Sequence, residues 1–337
     1  MKARQTDQMN PERIPLQDRI PLDTPLVIYI EPSGYCNLKC NFCFQREKEG
    51  LIKDIMPFTV AKKCIDDIAK FPQPVKMIRI CGDGEPLLNP EMIKIAKYMS
   101  EKKCANRIVL VTNGILLTPE LSENLVKWID HIIVSVEGLN KEQYVQFSNK
   151  EIDYDKFYSG LKYLYECSQH EKCTVCVKIH GDAVKEETQK KQFFDMYGDI
   201  CDEINIECLV NLYPEIKLLS ESGADTERFR FKGVDYKVVK KKVCPQIFKG
   251  FQIYANGDAT ACCVDWKRII YLGNIKNETL IDIWNGTKLS EIRWEHLNLQ
   301  KGNINPCKYC TFNDTSEVDY LDDHIDEIKE RIKFVSE

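Results

Sequence analysis

Three cysteines, Cys36, Cys40 and Cys43, stand together in Cys36-Asn-Leu-Lys-Cys40-Asn-Phe-Cys43, a C-x3-C-x2-C spacing. The loop follows an apolar strand-like run, Pro25 to Ile30, and a turn signal at Pro32-Ser33-Gly34. Three thiolates on one short loop can hold three irons of a cubane [4Fe–4S] cluster and leave the fourth iron without a protein ligand. Electron-storage clusters take four cysteines. A catalytic metal site instead keeps an open position for substrate or cosubstrate, as zinc enzymes do. Zinc sites use paired C-x2-C units, and three thiols alone leave their tetrahedron incomplete. Free cysteines also pack as small hydrophobes, but Asn37, Lys39 and Asn41 make this loop polar between its thiols.

With Phe42 at its aromatic position, the loop resembles that of the radical S-adenosylmethionine (radical SAM) enzymes. The resemblance implies a unique iron that chelates the amino and carboxylate groups of SAM. It also implies reductive cleavage of SAM to methionine and a 5′-deoxyadenosyl radical. Further matches follow in order. Ile78 to Cys81 is a short apolar strand ending in Gly82-Asp83-Gly84-Glu85-Pro86. That segment resembles the family's glycine–glutamate–proline stretch, which meets the SAM amino group. Glycines permit close backbone approach, and a carboxylate suits an ammonium. Alone, the same residues read as a turn with a solvated glutamate. Arg107 to Asn113-Gly114 and His131 to Glu137-Gly138 are the next strands with polar ends. The resemblance places Gly82, Gly84, Glu85, Asn113, Ser135 and Glu137, with Phe42, around SAM.

The elements that must position these residues alternate regularly. Strand-like runs lie near 26–31, 76–81, 107–112, 131–136, 174–180 and 203–209, with helical patterns over 57–70, 90–103, 118–129, 151–168 and 185–198. Thr59/Ala61/Ile65/Ile68 and Leu121/Leu125/Trp128 recur at helical spacing. Pro57, Pro90 and Pro119 stand where a first turn tolerates proline. Strand–helix alternation implies a parallel sheet with right-handed crossovers. The fold class expected is α/β, with the family's partial (β/α)6 TIM-type barrel and a small C-terminal α+β domain. In such barrels the site lies at the C-terminal strand ends, where all four segments fall.

Beyond residue 210 the pattern changes to a charge-rich connector with a possible hairpin over Phe229 to Val239. Cys244, Gly257, Cys262, Cys307 and Cys310 then resemble the shorter auxiliary-cluster (SPASM/Twitch) domain behind some radical SAM barrels. That resemblance implies a second [4Fe–4S] cluster held by Cys244, Cys262, Cys307 and Cys310, with Cys262 preferred to Cys263 on spacing alone. A zinc ribbon on the same four thiols is the alternative. The expected domains are a polar extension (1–24), the radical SAM core (25–210), the connector (211–243), the auxiliary domain (244–312) and a charged C-terminal helix (313–337).

Sixteen cysteines in 337 residues with no secretory signal argue for reduced thiols and metal sites. The expected compartment is therefore the cytoplasm. Net charge is −5 and the mean hydropathy is −0.37. No basic footprint for nucleic acid and no membrane-length apolar run are present. The nine cysteines outside the proposed ligands read by default as core. Cys208 and Cys263 are candidates to give a hydrogen atom to a substrate radical, and Asp265 and Glu207 are candidate bases. The first functional expectation is SAM-dependent radical oxidation of a small polar substrate such as a sugar or aminocyclitol. The auxiliary cluster would accept the electron, and a flavodoxin- or ferredoxin-type partner would supply the reductant. Modification of a ribosomal peptide and non-catalytic electron transfer are the alternatives.

Overall fold

The computed structural model describes residues 1–5, 14–46, 51–207, 209, 228–231, 234–237, 239–315 and 319–332. Six strands, β1 (Val27–Ile30), β2 (Met77–Ile80), β3 (Ile108–Thr112), β4 (His131–Val136), β5 (Thr174–His180) and β6 (Glu203–Glu207), pair in parallel in chain order. They form an open sheet in which β6 does not return to β1. The crossovers carry α1 (Phe58–Ile68), α2 (Met92–Lys102), α3 (Pro119–Trp128), α4 (Lys141–Ser148), α5 (Tyr154–Ser168) and α6 (Glu187–Tyr197). Local chemistry sets their starts. Thr118 caps α3 through its hydroxyl, which accepts from Leu121 N at 3.2 Å, and Pro119 fills the first helical position.

Burial along the strands fixes which face is which. Ile28, Ile30, Ile78 and Ile80 are fully buried beneath the helices, whereas Tyr29 and Arg79 point into the concave lumen and are half-buried. The lumen floor is apolar, with Val109, Ile133 and Cys176 packed against Met77 and Val111. Above that floor the lining turns polar.

After the hairpin β7 (Arg228–Phe231) and β8 (Val234–Lys237), the chain runs through α7 (Gln246–Lys249), β9 (Gly250–Ile253), β10 (Asp258–Thr260) and β11 (Tyr271–Asn274). It continues in α8 (Leu280–Asn285), α9 (Thr287–Leu297), α10 (Phe312–Thr315) and α11 (Ile325–Arg331). β9 pairs in parallel with β1 over Val27–Ile30, so one nine-stranded sheet runs through both parts. Gly250 makes that possible, because a Cβ there would collide with the Val27 carbonyl. Behind the seam Trp284 packs on Phe251 and donates from Nε1 to Leu22 O at 2.9 Å. Among the described residues no helix is long and apolar enough to cross a membrane.

Candidate cofactor and substrate site

The cysteine loop leaves the end of β1 and is clamped by α4, a helix too weakly amphipathic to stand out in the sequence. The last carbonyls of a helix lack intrahelical partners, and here they take the loop's amides. Lys39 N donates to Ser148 O at 3.0 Å and Asn41 N to Phe147 O at 2.8 Å. Asn149, the left-handed C-cap of α4, donates its side-chain amide to Lys39 O. The three thiols are thereby held in mutual electrostatic reach. Burial pushes Cys36 up to about 11 and Cys43 up to about 12, and it pushes Cys40 higher still. Such thiols stay protonated unless a metal takes the proton's place. Gln45 N–H points at the Cys43 sulfur at 3.5 Å, a donor suited to a metal-bound thiolate. Loop, donors and spacing fit a three-thiolate cluster.

The Gly82–Glu85 segment lies against the entrance to this loop. A Cβ at Gly84 would collide with the Ser33 and Tyr35 carbonyls, so the glycine serves the close approach of two backbones. Glu85 is buried. Its carboxylate accepts from Leu87 N at 3.0 Å, Thr112 Oγ1 at 2.6 Å and Asn113 N at 2.8 Å. It thus ties the ends of β2 and β3 together. Asn113 reaches on to Asn37 Oδ1 at 2.7 Å, joining β3 to the cysteine loop. Gln45, absent from the sequence-level candidates, bridges Gly34 O and Asp83 O from its side-chain amide. The segments are brought to one rim, where two backbone amides and one hydroxyl fix the Glu85 carboxylate.

Across the rim, Ser135 and Glu137 end β4 and His180 ends β5. His180 is sandwiched between Phe42 and Phe147, with ring centroids at 4.9 and 4.6 Å. Burial lowers its imidazolium to about 4 and raises the Glu137 carboxyl to about 7. Both are then uncharged between those values, so their 3.8 Å approach is not an ion pair near pH 6. The depressed histidine contributes stability above its ordinary value of 6.5 that is lost as pH falls toward 4. The raised Glu137 acts oppositely, and its contribution is lost as pH rises from 4.5 to about 7. His180→Phe keeps the aromatic sandwich and removes only the first limb. Relative to its value at pH 7.5, the stability of the variant should exceed the wild type's by roughly 2 kcal/mol at pH 5. Thermal melts of the metal-free protein at the two pH values measure it, and parallel curves would contradict it.

The second set of thiols also converges. Cys244, Cys262, Cys307 and Cys310 line one small cavity with Ile247, Ile270 and Pro306. Phe312 N–H points at the Cys310 sulfur at 3.4 Å. His296, fully buried, accepts from Cys244 N through Nδ1 at 3.2 Å, which leaves the proton on Nε2. That Nε2 has no protein partner and lines the same cavity. An orphaned donor beside four thiols suits a cluster with sulfur acceptors. Asp265 shares the wall, with its carboxylate held by Ile269 N and Ile270 N at 3.0 and 2.7 Å and pushed up by burial to about 6. It therefore borders the four-thiol cavity. Cys263 is not part of that lining; its thiol contacts the Cys262 thiol and acts electrostatically on Cys81 and Arg79. Cys208 lies outside the described residues.

One buried group joins the two halves, and sequence analysis passed over it. Glu31, at the end of β1, accepts from Asp83 N at 2.7 Å and Ala255 N at 3.3 Å, and Arg268 Nη2 approaches it at 3.4 Å. The Arg268 guanidinium lies 3.9 Å over the Tyr254 ring. Phe44 of the cysteine loop stacks on Trp266 at 5.3 Å. In the lumen itself, Lys178 Nζ meets Glu207 Oε2 at 2.8 Å.

Comparison with known proteins agrees with this arrangement. A model of the Radical SAM superfamily matches residues 30–190, and a SPASM model, an iron–sulfur cluster-binding domain, matches 244–311. The AdoMet-dependent heme synthase of Methanosarcina barkeri is 32% identical over 143 residues, which are 42% of this chain and 40% of that protein. The tungsten-containing aldehyde ferredoxin oxidoreductase cofactor-modifying protein of Pyrococcus furiosus is 33% identical over 119 residues, 35% of this chain and 32% of its own. These matches thus span two fifths or less of either relative. Among solved structures, SuiB of Streptococcus suis bound to precursor peptide SuiA aligns with TM-score 0.63 at 17% identity, over 94% of this chain and 75% of that one. BtrN in complex with AdoMet and 2-DOIA aligns with TM-score 0.56 at 16% identity, over 85% and 92%. At such identities the likeness is one of fold.

Proposed function

Because the chain is a radical SAM protein with a SPASM-type iron–sulfur domain, we propose that it oxidises a small polar substrate held in the barrel lumen. Cys36, Cys40 and Cys43 would hold the SAM-binding cluster, and Cys244, Cys262, Cys307 and Cys310 the auxiliary one. Bound there, SAM and the two clusters supply a 5′-deoxyadenosyl radical that takes a substrate hydrogen atom, and an acceptor for the electron the substrate then gives up.

The observation that carries the oxidative reading is the placement of two consecutive residues. Cys262 lines the four-thiol cavity, and the Cys263 thiol touches it while also acting electrostatically on Cys81 and Arg79 of the lumen. An electron leaving the lumen therefore crosses about one residue of chain to reach four thiols. The proton lost with it has a nearby carboxylate in Glu207, which Lys178 orients at 2.8 Å. Hydrogen atom, electron and proton together account for conversion of an alcohol to a carbonyl. No thiol donor is required, unlike epimerisation. A flavodoxin- or ferredoxin-type partner suits the supply of the priming electron.

Anaerobically reconstituted protein given dithionite and SAM should form 5′-deoxyadenosine. Its complete absence with both clusters intact would falsify the enzymatic reading.

A further inference from the structure

The polar layer above the lumen floor carries two cations, Arg79 and Lys178. Register places Tyr29, Arg79 and Gln252 side by side across β1, β2 and β9. Ser135 and Lys178 lie at paired positions on β4 and β5. Lys178 pairs with Glu207 and also acts on Glu137 at the end of β4. The electrostatic neighbours of Arg79 are Cys81, Tyr29, Glu207 and Cys263. Among the described residues the Arg79 guanidinium makes no ion pair.

An arginine costs a great deal to place in an enclosed lumen, and Glu207, the carboxylate among its electrostatic neighbours, is already paired with Lys178. The strand position could equally take valine, as Val109 does beside it on β3. The guanidinium fork matches carboxylate or phosphate oxygens in pairs. We infer that the substrate is an anion whose carboxylate or phosphate is bound by Arg79, deep in the lumen below the Gly82–Glu85 rim. The inference rests on the proposed radical chemistry only in calling the ligand a substrate. It disfavours a polyamine or aminocyclitol, which would bring positive charge to Arg79 and Lys178.

Succinate and putrescine, a dianion and a dication of equal carbon length, are suitable probes, with inorganic phosphate as the third. Titration calorimetry on the anaerobic two-cluster protein, with SAM present and no reductant, keeps the measurement independent of SAM cleavage. Succinate or phosphate should bind saturably, about tenfold more weakly to Arg79→Gln and with partial recovery in Arg79→Lys. The better of the two identifies the oxyanion. Unchanged iron content and visible spectra of the variants report an intact fold. Equal anion binding by Arg79→Gln, binding of putrescine in preference, or no binding of either anion would overturn the inference. So would a variant whose defect lies in SAM affinity alone, since Arg79 would then serve the cosubstrate. Failure of 5′-deoxyadenosine formation in the separate assay touches the radical reading and not this one.

Discussion

Cys40→Ala should abolish 5′-deoxyadenosine formation and lower iron from about eight to about four per chain, whereas Cys310→Ala should lower iron equally and leave SAM cleavage intact. The asymmetry follows from ligand number and placement. The first site offers three thiols on one loop, so loss of one leaves two, too few to retain a cubane that must also present an open corner. The ties that shape the loop run through backbone amides to the C-terminus of α4 and through Gln45, not through the thiols. The apoprotein of Cys40→Ala should therefore melt near the wild-type apoprotein. Cys310 lies on the far side of β9, in a cavity that neither the cysteine loop nor the Gly82–Glu85 rim enters. Its loss should stop substrate oxidation by removing the electron acceptor while uncoupled cleavage of SAM continues. Iron analysis and product chromatography on the two variants decide the matter. Equal loss of cleavage in both would mean that the two thiol sets do not act separately.

The alternation of six strands and five of the barrel helices could be read from apolar periodicity, because each crossover repeats the same burial pattern. α4 could not. Its buried side chains are Tyr144 and Ser148 alone, and its importance lies in terminal carbonyls, which every residue type carries. The cysteine spacing was legible because metal ligands are few in kind. The division of labour between Cys262 and Cys263 was not, since the two adjacent thiols touch each other and only the fold shows that Cys262 lines the four-thiol cavity. Sequence also gives no pairing partner for β9, so the continuity of one sheet through both parts was hidden. Glu85 illustrates the same limit. A carboxylate in a glycine-rich turn suggests ligand binding, but three donors from β3 and its own turn reach it only in the fold. Glu31 looks like a strand-end residue facing solvent, and it is instead fully buried.

Glu31→Ala should be the most destabilising single change outside the apolar core, costing about 3–5 kcal/mol because it leaves a buried cation without its partner. Burial raises the Asp83 carboxyl well above the usual range, and the adjacent Glu31 raises it further. Burial raises the Glu31 carboxyl as well, but Arg268 and two amides gather on Glu31 and favour its charged form. Apart from Glu31, Arg268 has the Tyr254 ring beneath it and Asp258 at 3.7 Å, while its Nε has no hydrogen-bond partner. Removing Glu31 frees the Asp83 and Ala255 amides as well, one on the SAM-side rim and one at the start of the turn into β10. The defect should thus be shared between the two halves of the molecule. Adding Arg268→Met to Glu31→Ala removes the stranded charge and should recover a large part of the loss, a coupling that a double-mutant cycle measures. Additive losses in urea unfolding of the four proteins would show that Glu31 and Arg268 do not act as a pair. Recovery would identify this charge pair as the joint that keeps the metal cavity in register with the barrel rim.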